Sequence, residues 1–105
     1  MSKQELSQEQ VYTCLKTVLD PELNVDIVSL GLIYEVEVKE KNRVKILMTL
    51  TTPGCPLAPV IDQLVRESLY GFVEDTDRDV IINLTFDPPW VTDMMSEEIR
   101  LELGL

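Results

Sequence analysis

A chain of 105 residues accommodates one domain, residues 1–105, with a single hydrophobic core and no room for a second. Hydrophobic residues at 45% and charged residues at 27% are those of an ordinary globular protein, and no apolar run is long enough to span a membrane. The 9 basic and 19 acidic residues leave a net charge of -10, which excludes nucleic acid and anionic lipid as natural partners, and the absence of histidine excludes Cys-His pairs, Ser-His-Asp triads and His-based zinc sites.

The N-terminal segment Met1-Ser2-Lys3-Gln4-Glu5 lacks the apolar stretch of a signal peptide, so the expected compartment is the cytoplasm and both thiols are expected to be free. Ser7 and Gln10 have the spacing of a capping box. The stripe Val11, Leu15, Val18 and Leu19 then predicts a first helix from Gln8 to Leu19, ended by Asp20-Pro21. A polar loop through Leu30-Gly31 leads to a strand in which Leu32, Tyr34, Val36 and Val38 face one way and Ile33, Glu35, Glu37 and Lys39 the other. The charged stretch from Glu40 to Arg43 reads as a hairpin turn. It joins an antiparallel strand in which Val44, Ile46, Met48 and Leu50 alternate with Lys45, Leu47 and Thr49.

Pro53 and Gly54 stop that strand. Leu57, Val60, Ile61, Leu64, Val65 and Leu69 then carry the spacing of an amphipathic helix, with Pro56 suited to its first position. Gly71 to Asp79 is a charged connection. A third strand follows, with Val80, Ile82, Leu84 and Phe86 on one face and Ile81, Asn83 and Thr85 on the other. Asp87-Pro88-Pro89-Trp90 breaks the pattern, and a short last helix runs from the Ser96 cap to Leu103, with Gly104 as terminator. The order α-β-β-α-β-α, with one apolar face per strand, predicts a two-layer α/β (α+β) sandwich built on a small mixed three-stranded sheet.

Chemistry concentrates at Thr51-Thr52-Pro53-Gly54-Cys55-Pro56. Cys55 falls at or beside the predicted N-cap of the second helix, where unpaired amides and the helix dipole favour a thiolate, the form that ligates metal or attacks an electrophile. Cys14, set between Val11 and Leu15 in a helical stripe, reads as a packing residue. Trp90, beside two prolines and followed by Met94 and Met95, reads either as a partner-binding anchor or as a lid on the open end of the core. Asp20, Glu22, Asp26 and Asp87 lack calcium-loop spacing and read as solvated charge.

These blocks also carry a resemblance. Asp20-Pro21-Glu22, Leu30-Gly31-Leu32-Ile33-Tyr34, Met48 through Pro56, and Asp87-Pro88-Pro89-Trp90 with Met94-Met95-Ser96 resemble, in order, the SufT/PaaD-like family of iron-sulfur cluster assembly proteins, whose eukaryotic members are of the MIP-eighteen type. The resemblance implies a fold like that of the C-terminal domain of NifU-type scaffolds and a role in maturing iron-sulfur proteins without enzymatic turnover. It implies that Cys55 is the reactive residue, with Asp20, Glu22, Thr51, Thr52 and Gly54 forming a polar pocket around it. It favours the SufT-like branch, because the chain ends at Leu105 without the C-terminal cysteines of the PaaD branch.

A cluster takes four protein ligands, mostly thiolates, so one thiol cannot hold it. Cys55 is therefore expected to be a transient ligand, completed by a second protomer in a homodimer, by the assembly machinery or client apoproteins, or by a small thiol. A thiol-independent adaptor and a cysteine-dependent enzyme using Asp20 or Glu22 as acid or base remain as alternatives.

Overall fold

A computed structural model describes residues 6–21, 23–51 and 58–104. Its elements are α1 (Gln8–Leu15), β1 (Ile33–Lys39), β2 (Arg43–Met48), α2 (Ala58–Ser68), β3 (Val80–Leu84) and α3 (Glu97–Leu103), with short 3-10 turns at Glu40–Asn42 and Thr92–Met94. The sheet order is β1-β2-β3, with β1 antiparallel and β3 parallel to the central β2. This is the expected α+β architecture with a mixed three-stranded sheet.

One face of the sheet is dry. Val36, Val44, Ile46, Met48 and Val80 form the core with Val11 and Leu15 of α1 and Ile61 and Val65 of α2. The other face is wet, where Glu35, Glu37, Lys45, Leu47 and Asn83 line a shallow groove. Helix α3 buries none of its described residues, although Ile99 packs against the core from its flank.

Local chemistry explains the element ends. The Ser7 side chain accepts from the Gln10 amide while the Gln10 side chain accepts from the Ser7 amide, which completes the predicted capping box. The helix stops at Leu15, four residues before the predicted end at Leu19. Thr17 donates to the Cys14 carbonyl through both its amide (3.1 Å) and its Oγ1 (2.6 Å), so this acceptor is taken before Val18 can use it. Val18 turns back to Leu15, and Leu19 instead makes a β-bridge to Asp26. In the hairpin, Lys41 and Asn42 take positive φ. The Asn42 side chain accepts from the Leu6 amide (3.0 Å) and donates to the Phe72 carbonyl (3.1 Å), tying three segments together.

Three facing assignments change. The β1–β2 register shifts between Ile33 and Glu35, so Ile33 pairs with Met48 and packs against the core, where strict alternation puts it on the polar face. Thr49, expected on that polar face, is buried just past the end of β2 and donates its amide to Leu32 O (2.8 Å). Val60, Leu84 and Phe86, expected in the core, are exposed, because apolar spacing marks a face but not where its cover ends.

Candidate functional site

Strand directions bring the described parts of three of the singled-out segments to one end of the sheet. β2 and β3 run parallel and finish together at the Met48–Leu84 pair, while antiparallel β1 starts there, opposite Met48. The Leu30-Gly31-Leu32 turn, the Thr49–Thr51 exit of β2 and the Thr85–Trp90 exit of β3 therefore leave from the same edge. In α/β sheets the carboxyl ends of parallel strands are where loops gather binding groups. Thr49 N–H donates to Leu32 O (2.8 Å) and Thr85 N–H to Met48 O (2.9 Å), which holds the three exits side by side.

A second set of bonds locks the C-terminal turn onto this end. Trp90 Nε1 donates to Leu30 O (2.7 Å), Tyr34 Oη donates to Pro88 O (2.7 Å) and lies 3.6 Å from Met94 Sδ, and Ser96 N–H donates to Ser29 O (2.8 Å). Gly31 sits under this turn at φ +80°, and a Cβ there would lie 2.2 Å from Met94 O. Two independent constraints thus call for glycine, a left-handed backbone and close approach of a neighbouring chain segment. Tyr34, Leu30 and Gly31 are positioning residues that strand alternation and loop composition did not single out. The glycine before an apolar run was the available signal.

Trp90 is half-buried and packed on the core, Met94 is half-buried, and Met95 lies inside the core at 6% exposure. Of the three, Trp90 and Met94 keep exposed area at this end, while Met95 serves packing. Asp20 is buried, not solvated. Its Oδ1 accepts from the Leu23 amide (3.1 Å) and its carbonyl from the Asn24 amide (2.7 Å), so it shapes the turn that follows α1. Asp26 likewise accepts from the Ser29 amide (2.9 Å).

Thr51 is half-buried at a bend beyond β2. Glu22, Thr52, Gly54 and Cys55, together with the expected helix start at Pro56, lie outside the described residues, and α2 is described from Ala58. Cys14 is free and packs against the core, and burial pushes its thiol pKa up, the direction that makes a poor nucleophile. Among the described residues, no group of three or more Cys, Asp or Glu side chains is placed to hold a metal ion.

The sequence profile described as "iron-sulfur cluster assembly protein" matches residues 8–82. A Fe-S protein maturation auxiliary factor of Bacillus subtilis is 42% identical over 102 residues, covering 97% of this chain and 98% of its own. One of Staphylococcus aureus is 43% identical over 88 residues, covering 84% of this chain and 98% of its own. A crystal structure of a domain of unknown function from Bacillus anthracis superposes with a TM-score of 0.84 at 39% identity, covering 93% of this chain and 92% of its own.

Proposed function

Because the chain belongs to the iron-sulfur cluster assembly protein family, we propose that it is a SufT-like maturation factor, acting in the cytoplasm, that assists delivery of iron-sulfur clusters to client apoproteins. The observation that carries this reading is the near end-to-end similarity to a protein named as a maturation auxiliary factor. Such relatives are named as auxiliary factors and not as enzymes, and the chain is read accordingly.

Cys55 is the thiol of this reading. In sequence it lies between Thr51, just past β2, and Ala58, from which α2 is described. The cluster is cargo. With a single motif thiol the chain supplies part of its ligand set, and a second protomer, a partner protein or a small thiol supplies the rest. Asp20, Glu22, Thr51, Thr52 and Gly54 are assigned as the surrounding polar pocket, and Trp90 with Met94 as the neighbouring contact surface. The acidic surface suits partners with a basic face.

Anaerobic reconstitution with iron and sulfide, followed by absorption spectra and mass measurement of wild type and Cys55→Ser, tests the thiol. Client maturation in cells carrying Cys55→Ser tests the role. Loss of the cluster signal and of maturation in the serine variant is expected. Maturation that survives Cys55→Ser but fails with Trp90→Ala would instead identify a thiol-independent adaptor.

A further inference from the structure

The two edges of the sheet are built differently. On β1, the exposed side chains of Glu35, Glu37 and Lys39 guard the edge, and Gln8 Nε2 from α1 donates to Val36 O (2.6 Å). On β3 no charged residue occurs from Val80 to Phe86, and Ile81 (48%), Leu84 (47%) and Phe86 (39%) are exposed. Among the described residues β3 has a strand partner on one side, β2.

The ladder shows which backbone groups are left over. Val44 N–H donates to Asp79 O (2.8 Å) and Thr85 N–H to Met48 O (2.9 Å). Parallel pairing uses every second residue of a strand, so residues 79, 81, 83 and 85 point towards β2. Val80, Ile82 and Leu84 therefore point their backbone groups away from it. Arg66 Nη1 takes the Val80 carbonyl (2.6 Å), which among the described residues leaves Ile82 and Leu84 as the open stretch.

Beside that stretch, on the core side, Leu50, Ala58, Pro59, Ile61, Ile82, Leu84 and the Arg66-paired Asp62 line a groove of about 320 Å³. A strand added next to β3 would place alternate side chains in it. Charge selects the occupant. Exposed Glu74, Asp75 and Asp77 precede the strand and exposed Asp87 follows it, while the cation among them, Arg78, is engaged with Asp79 and Glu74. A second copy would bring these acidic flanks together in either strand orientation, on chains that each carry a net charge of -10.

We propose that the free edge of β3 takes up, as an added strand, an extended segment of a partner protein that is apolar at alternate positions and flanked by lysine or arginine. The site asks nothing of Cys55 and stands apart from the thiol reading.

The probe is a blocked synthetic peptide of valines alternating with threonines between pairs of lysines, titrated into the full chain by NMR. The Ile82 and Leu84 amides should become protected from exchange, with the β1 amides unchanged. A glutamate-flanked version should bind about tenfold more weakly or worse. Leu84→Pro removes an outward N–H and no bond to β2, and should weaken binding by about tenfold. Cys55→Ser should bind like wild type. Absence of binding, protection on β1, or indifference to flanking charge would overturn the proposal. A concentration-dependent dimer that protects Ile82 and Leu84 without peptide would assign the edge to a second copy and overturn it too. If Leu84→Pro does not fold, the wild-type protection pattern decides.

Discussion

Gly31 and Asp79 show how single residues carry this fold. Gly31→Ala would force a side chain into a left-handed backbone and against the Met94 carbonyl 2.2 Å away, with backbone and not a flexible chain on the other side. A loss of ~3 kcal/mol in urea-induced unfolding is expected. Asp79 is buried, yet its carboxyl pKa is lowered. The hydrogen bond from Arg78 is the main cause, opposed by burial and aided by the Asp75 amide and the charges of Arg78 and Arg43. A depressed folded pKa stabilises the protein above the ordinary carboxylate value of about 3.9, and that contribution fades as pH falls through the lower folded value. The stability difference between wild type and Asp79→Asn should therefore be full at neutral pH and shrink only below about pH 4. A difference that is flat across this range would remove Asp79 from the acid response.

At the scale of elements, the decisive contacts are side chains that bond to another element's backbone. Arg66, on the last turn of α2, donates to Asp62 within its helix (2.7 Å) and to the carbonyls of Thr76 (2.7 Å) and Val80 (2.6 Å), joining α2 to the start of β3. Arg66→Met keeps an apolar stem but leaves those carbonyls without this donor. A cost of ~2 kcal/mol in thermal or urea unfolding is expected, with amides of the 75–79 segment exchanging faster. The Trp90 turn is held in the same manner. Trp90→Phe removes the bond to Leu30 O at a cost of ~1 kcal/mol, and NMR shifts should concentrate at Leu30, Gly31 and Met94. Shifts spread evenly over the core would show that the ring matters for bulk and not for its N–H. The early end of α1 is also an element-scale effect. The apolar stripe through Val18 and Leu19 fits a longer helix, but Thr17 claims the carbonyl that the next turn needs.

For the whole molecule, net charge and topology set what can approach and where. With a net charge of -10, association with basic partner surfaces should slow by about tenfold or more between low salt and 0.5 M salt, measured as an on-rate. An on-rate independent of salt would take the acidic surface out of recognition. Much was legible in the sequence. Alternation marked the three strands, spacing marked the helices, and the caps of α1 and α3, Ser7 with Gln10 and Ser96 with Gly104, act as expected, because these signals are local and each is answered within a few residues. The family motif also marked Cys55, whose surroundings lie outside the described residues. By itself, then, the sequence determined the elements, the sheet's dry face and the family, since side-chain period and capping chemistry are written along the chain. Only the tertiary structure decided that β3 lies parallel beside β2, that the Leu30-Gly31 turn and the Trp90 turn bind each other, and that Leu84 and Phe86 stay uncovered. Those outcomes depend on long-range pairing and on where the sheet ends, and a one-dimensional pattern of apolar residues carries neither.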